Sequence, residues 1–132
     1  MSNRRHRSGT GRYRDQFLHS PAWHARRARW FRTEHRHHGT LTCAGCRRPA
    51  TESELELHHL SYRGVTQVGG VWRAFEAHRD LTAMHPWCHG TIHRIIDRDH
   101  GLSHHRTRRD ATTAAIRTLQ SKLARGTEEV AG

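Results

Sequence analysis

The sequence predicts an α+β fold, in which a small core of two short strands and a helix is held by a Cys3His metal site and flanked by N-terminal and C-terminal helices. Residues 55–59 alternate between apolar and polar side chains, which is the period of a half-buried strand. The apolar residues of 88–98 recur at helical spacing. Only 33% of the 132 residues are hydrophobic, so the core is small and a bound metal would help to hold it.

The chain divides into a basic arm, one domain, a linker with a terminal helix, and a tail. The first residues combine Gly, Ser and Arg, a composition that cannot offset the entropy lost on ordering. The predicted boundaries are 1–19 for the basic, largely disordered arm, 20–100 for the domain with its core at 41–99, 101–126 for the linker and C-terminal helix, and 127–132 for the frayed tail.

The N-terminal helix of the domain is predicted from its two ends. Ser20 can cap it, Pro21 suits the first helical position, and Gly39 ends it. The apolar face carries Trp23, Trp30 and Phe31, and the opposite face carries Arg26, Arg29 and Arg36.

The remaining elements are shorter. Residues 40–50 form a tight turn that suits two metal ligands, 61–79 form a loop or an irregular strand pair, and 80–84 form a second strand. The last helix is capped by Asp110 and stopped by Gly126. The core-facing residues are Ile92, Ile95 and Ile96 on the helix at 88–98, and Ile116, Leu119 and Leu123 on the last helix.

The formal net charge of +11 indicates a polyanionic partner, and nucleic acid is the leading one. No stretch is apolar enough to span a bilayer, and the arginine-rich start lacks the apolar run of a secretory signal. We therefore expect a cytoplasmic protein that is not secreted and has no membrane partner.

Cys43 and Cys46 are separated by two residues, as are His85 and Cys88, and 38 residues lie between the two pairs. Each turn can direct two ligands at one ion, so the four residues match a structural zinc site. His89 follows Cys88 directly and competes with His85 as the fourth ligand. We favour His85 because it repeats the two-residue spacing.

A second metal site is predicted from histidines alone. His89 and His93 are four residues apart and lie on one helix face, which is metal-ligand geometry. His58 on the preceding strand is the natural third donor, and three protein ligands leave open positions for water and phosphate. Strand alternation turns His59 away from His58, so His59 is free to take a proton from water near neutral pH.

Three segments together resemble the HNH family of nucleases, which has a ββα-metal core. They are LELHHLSY, then E-x3-DL at Glu76 to Leu81, then MHPWCHGTIH. In that family a histidine pair lies on the first strand, an asparagine-like position precedes the second strand, and H-x3-H opens the helix. The match covers about residues 41–99.

The resemblance implies a metal-dependent endonuclease that hydrolyses DNA, most often double-stranded, to 5′-phosphate and 3′-hydroxyl ends. It makes His59 the general base and makes His58, His89 and His93 the ligands of a catalytic Mg²⁺, Mn²⁺, Ni²⁺ or Zn²⁺ ion. Cys43, Cys46, His85 and Cys88 would hold structural Zn²⁺. Asp80 replaces the family's central Asn, and we expect its carboxylate to accept main-chain hydrogen bonds that brace the loop.

Four arginines near the predicted site in sequence are candidates to bind DNA phosphates, because guanidinium groups match phosphate oxygens. The rival hypothesis is a zinc-containing nucleic-acid binding module without catalysis, which would not need the second metal site. A toxin similar to the colicin DNases would require an immunity protein. Free-standing HNH nucleases of this size commonly serve bacteriophages, so phage packaging proteins are partners by analogy. The four candidates are Arg63, Arg73, Arg94 and Arg98.

Overall fold

The computed structural model describes the backbone of residues 12–131 and the side chains of residues 12–126. Residues 1–11 of the predicted arm at 1–19, and the last residue of the chain, lie outside the described part. The helices are α1 (Arg12–Leu18), α2 (Pro21–His38), α3 (Pro86–Arg98), α4 (His100–His104) and α5 (Arg108–Ala131). The strands are β1 (Leu41–Thr42), β2 (Pro49–Ala50), β3 (Glu56–His59), β4 (Val65–Val68), β5 (Val71–Ala74) and β6 (Leu81–Met84), with short 3-10 turns at Glu52–Glu54 and His78–Asp80.

The strands form three antiparallel pairs, β1 with β2, β3 with β6, and β4 with β5. In the middle pair His58 faces Thr82 and His59 faces Leu81 across the ladder. Helix α3 follows β6 after a single residue, His85. The prediction of an α+β fold is confirmed. Strand β3, which carries the histidines, pairs with β6, and α3 follows β6 in the chain and contacts β3.

The hydrophobic core draws on helices and strands from both ends of the described chain. Its largest fully buried apolar side chains are at most 1% exposed. Because α1, α2 and α5 all contribute to it, the flanking helices are part of the same core as the strands. These side chains are Phe17, Phe31, Met84, Ile92 and Leu119.

Helix α2 has the ends that the sequence predicts. The Ser20 side chain accepts a hydrogen bond from the main-chain N–H of Trp23 at 3.2 Å, Pro21 begins the helix, and Gly39 caps its end. The assignment of Arg26 to an exposed face was wrong. Its side chain is buried, and its Nε donates to the main-chain oxygen of Glu76 at 3.0 Å.

The predicted disorder of residues 1–19 was wrong for α1. Phe17 is buried, and its ring centroid lies 5.6 Å from that of Trp23 and 5.5 Å from that of Trp72. Because the segment is rich in basic residues, its sequence did not reveal that Phe17 packs into the core. Helix α1 therefore packs on the core beside the histidine strand.

The C-terminal part also differs from the prediction. The predicted turn at 40–50 contains the strand pair β1–β2, and the predicted polar link contains α4. Thr107, not Asp110, caps α5, because its Oγ1 accepts from the Asp110 main-chain N–H at 3.1 Å. Helix α5 continues through Gly126 to Ala131, so the predicted stop was wrong. No helix in the described part combines the length and apolar character needed to cross a membrane.

Gly64 lets the β4–β5 hairpin leave the histidine strand. Its φ is +95°, and a Cβ there would lie 2.6 Å from the main-chain oxygen of Phe75. Gly69, at the tip of the hairpin, has φ +57° with open space around it. Only Gly64 therefore combines a positive φ with a close main-chain neighbour.

We predict that Gly64→Ala lowers the free energy of unfolding by about 2 kcal/mol or more, because backbone strain and a collision with main chain add together. The matched control Gly69→Ala meets only the strain of a positive φ and should lose about 1 kcal/mol. Denaturant unfolding measures both variants. Equal losses of unfolding free energy in the two variants would show that the close approach of the Phe75 main chain to residue 64 does not add to the destabilisation.

Candidate metal centres

The described part of the chain contains two separate groups of ligand-type side chains, and both include residues of α3. In each group the ligand atoms lie within 4.8 Å of one another. The first group is Cys43, Cys46, His85 and Cys88, and the second is His58, His89 and His93. His89 belongs to the second group, so the competition for the fourth place in the first is resolved in favour of His85.

The Cys3His group is built by a tight turn against the first turn of α3. The Cys46 Sγ lies 3.3 Å from the His85 Nδ1, and the His85 main-chain N–H donates to the Cys43 Sγ at 3.3 Å. Gly45 is required here because a Cβ at that position would lie 2.8 Å from the Cys88 Cβ. The group could therefore hold one metal ion between the turn and the helix.

The three thiols influence one another strongly. Burial raises the pKa of Cys43, but hydrogen bonds from the main chain of His85, Cys46 and Gly45 outweigh it and lower this pKa to about 7. Burial, followed by the neighbouring Cys43 and Cys46, raises the pKa of Cys88 to about 12. Three thiolates in one place repel, and a bound cation is what would offset that repulsion.

The histidine group converges from a strand and a helix. His58 Nδ1 and His93 Nε2 each lie 3.1 Å from His89 Nε2. His89 and His93 are one turn apart on α3, and His58 projects from β3 toward them. Three imidazole nitrogens at this spacing can serve one metal ion.

The outer nitrogens of this group have partners that direct the inner ones inward. The His89 Nδ1–H donates to the Glu56 carboxylate at 2.9 Å, so the lone pair of a neutral ring is on Nε2, facing His58 and His93. The His58 Nε2 lies 2.9 Å from the Thr112 Oγ1 of α5. A carboxylate or hydroxyl behind a histidine is the arrangement that orients metal-ligating imidazoles.

Two imidazoles of this group, those of His58 and His93, are held in the neutral form that binds metal. Burial, followed by the charges of Arg108, His89 and His93, lowers the pKa of His58 to about 2. Burial, followed by the charges of His89 and Arg108, lowers the pKa of His93 to about 4. Both rings are neutral at pH 7, so a cation would not have to displace protons from them.

His59 faces the other side of β3, as strand alternation predicts, and it has a buried partner. Its Nε2–H donates to the Glu76 Oε2 at 2.7 Å, and the two side chains are 2% and 0% exposed. The ring stacks on Tyr62 at 4.1 Å and lies 4.7 Å from the Trp23 ring. Burial lowers the pKa of His59, although the hydrogen bond and charge of Glu76 raise it.

Side chains from both faces of β3 line one cleft, which has a volume of about 440 Å³. Leu57, which shares the face of His59 by strand alternation, lines it as well. The cleft thus brings the histidine group, His59 and two guanidinium groups to one surface. Its basic lining residues are His58, His59, His89, His93, Arg14 and Arg108.

None of the four arginines predicted to bind DNA lines this cleft. Arg63 and Arg73 are exposed near and on the β4–β5 hairpin. Arg94 and Arg98 lie in a different groove, between α3 and α5. At 100° per residue they project from the face of α3 opposite to that of His89, which sequence proximity alone does not reveal.

Asp80 braces the structure in a different way from the one predicted. Its carboxylate is paired with the Arg109 guanidinium of α5, and no described main-chain N–H donates to it. Its main-chain oxygen accepts from the Leu60 N–H at 2.7 Å, which extends the β3–β6 pairing. Asp80 thus links the histidine strand to the C-terminal helix and does not line the cleft.

Five contributors to the site were missed from the sequence: Glu56, Glu76, Thr112, Arg14 and Arg108. Only the two glutamates had a local signal, since Glu56 lies two residues before His58 on the predicted strand and Glu76 begins the E-x3-DL segment. The other three come from α1 and α5, far from the histidines in sequence.

No protein-family model matches this chain, and neither the curated proteins nor the solved structures contain a significant match.

We predict that the purified protein carries one tightly bound metal ion at the Cys3His group. Cys46→Ser and His85→Ala should each lose about one equivalent of metal and lower the melting temperature by on the order of 10 °C or more, because binding free energy at such a site is folding free energy. Elemental analysis and thermal unfolding measure these effects. His37→Ala, at an exposed histidine of α2, is the matched control. Variants that keep the metal and melt with the control would contradict the assignment.

Proposed function

We propose that this chain is a divalent-metal-dependent nuclease of the HNH type, which hydrolyses phosphodiester bonds of double-stranded DNA. One observation carries the proposal: neighbouring residues of one strand, His58 and His59, serve a three-imidazole group and a buried histidine–carboxylate pair that share one cleft. A protein that only bound nucleic acid would need neither arrangement. The net charge of +11 supports a polyanionic substrate.

The second group fits a catalytic ion because its three ligands are neutral nitrogens and their number leaves coordination positions open. His58, His89 and His93 would hold the ion, and imidazole donors favour Ni²⁺ or Zn²⁺ over Mg²⁺. When bound, a divalent cation stabilises negative charge on the phosphate and on the leaving 3′ oxygen. The Cys3His group, which has four ligands and no open position, fits structural Zn²⁺.

His59 acts as the general base through Nδ1. Its Nε2 carries the proton that Glu76 accepts, so in the neutral ring the lone pair is on Nδ1, for which no described residue is a hydrogen-bond partner. Burial keeps the pKa of His59 low and the ring neutral at pH 7. Nδ1 takes a proton from water, the water oxygen bonds to phosphorus, and the bond to the 3′ oxygen breaks.

Glu76 holds His59 in this tautomer and stabilises the imidazolium that forms during the reaction. Its side chain is fully buried, and its second oxygen, Oε1, has no hydrogen-bond partner in the described part. A buried carboxylate with a free oxygen is costly unless a positive charge develops beside it. Protonation of His59 in the transition state supplies that charge.

We predict that the wild-type protein relaxes or linearises supercoiled plasmid when a divalent cation is added, and that His59→Ala lowers kcat by about 100-fold or more. Glu76→Gln keeps a hydrogen-bond acceptor but loses the charge, and we expect about a tenfold lower kcat with an unchanged KM. A panel of Mg²⁺, Mn²⁺, Ni²⁺ and Zn²⁺ identifies the active ion.

The matched control for this assay is His37→Ala, which removes an exposed histidine and should cut like the wild type. DNA binding by His59→Ala, measured by fluorescence anisotropy, should be unchanged. If all variants cut equally, the activity is a contaminant. If the metal-loaded wild type binds DNA and never cuts it, the chain is a non-catalytic binding module and the proposal is wrong.

A further inference from the structure

We propose that Arg14 and Arg108, from the helices that flank the strands, form an anion-binding clamp that holds a phosphodiester of DNA beside His59. The clamp is defined by these two guanidinium groups alone. That the anion is a phosphodiester rests on the proposed function, whereas the need for an anion follows from the burial and charge of the two side chains.

Arg108 is a half-buried cation without an anionic partner. Its Nε donates to the main-chain oxygen of His59, and no carboxylate in the described part of the chain lies within ion-pair distance of its guanidinium. Its neighbour Arg109, by contrast, is paired with Asp80. A desolvated guanidinium costs free energy until an anion reaches it. Burial accordingly lowers the pKa of Arg108.

Arg14 brings a second positive charge to the same place. Its guanidinium carbon lies 4.4 Å from the centre of the Tyr62 ring, and that of Arg108 lies 5.1 Å from the same centre. The Tyr62 ring is also the one that stacks on His59. Two cations around one ring repel each other, and an anion between them would relieve that repulsion. An anion bound there would lie in the cleft that His59 also lines.

The cleft around the two arginines contains few negative charges. Asp15 and Asp97 line it, but neither forms an ion pair with Arg14 or Arg108 among the described residues. The remaining titratable lining groups are the histidines of the two faces and Tyr62. A volume of about 440 Å³ gives room for a phosphodiester group.

Binding of a short fluorescent DNA duplex without added divalent cation tests the clamp independently of catalysis. The cleft pair Arg14→Gln/Arg108→Gln should bind about tenfold more weakly or worse, and should lower the slope of log Kd against log salt by about 1, because the clamp neutralises one phosphate. The matched control is Arg12→Gln/Arg117→Gln, which removes two exposed arginines from the same two helices. It should change the slope by less than half as much.

Arg108→Gln also removes a hydrogen bond to the histidine strand, so each variant is checked by thermal unfolding. If it fails to fold, Arg14→Gln alone should still weaken DNA binding and lower the slope more than Arg12→Gln alone. Equal effects of the cleft pair and the control pair would overturn the clamp and would show that DNA binding depends on net charge alone.

If the cleft pair is specifically weakened but no metal supports cleavage, the clamp stands and the nuclease proposal fails. If the wild type cleaves efficiently and the cleft pair binds DNA as tightly as it does, the clamp fails and the nuclease proposal stands.

Discussion

The position of the first two turns of α3 is the constraint on which both metal groups depend. Cys88 and His89 are consecutive residues of this helix, yet they belong to different groups, because neighbouring helical residues project about 100° apart. Fixing Cys88 against the turn that holds Cys43 therefore fixes the direction in which His89 and His93 point. The Cys3His group would therefore position the histidine group through the helix that they share.

Strand β3 directs its two neighbouring histidines to different parts of the structure. Its alternation sends His58 toward α3 and His59 toward Glu76, so under the proposed function one dipeptide would supply a metal ligand and a proton acceptor. The flanking helices then complete both faces. Thr112 of α5 supports His58, and Phe17 of α1 packs against His59 with ring centroids 5.9 Å apart. The helices outside the strands are thus parts of the site as well as parts of the core.

The sequence correctly predicted those features of the structure that a short, local pattern of residues encodes. The ends of α2 followed from Ser20, Pro21 and Gly39, and the Cys3His group followed from paired two-residue spacing. The separation of His58 from His59 followed from strand period. The helix ends and the strand alternation are decided within a few positions, and each of the two ligand pairs has its own two-residue spacing although 38 residues separate the pairs.

Predictions from the sequence were wrong or incomplete where the environment of a residue depends on contact with a distant segment of the chain. Arg26 is buried because Glu76 accepts from it fifty residues away, and helical periodicity placed it in solvent. Phe17 orders a segment whose composition resembles a disordered arm. Arg108 reaches the cleft because α5 returns to the histidine strand, whereas Arg94, close to His93 in sequence, points away from it. None of these pairings leaves a periodic signal.

The central claim is that three imidazoles from a strand and a helix bind one ion apart from the Cys3His group. Anomalous diffraction from crystals grown with Ni²⁺ tests it most directly. We expect two separate metal peaks, one within the Cys3His group and one bonded to His58 Nδ1, His89 Nε2 and His93 Nε2, with only the second absent in His58→Ala. A folded protein whose only peak lies among the cysteines, with the three imidazoles turned away from one another, would contradict the account.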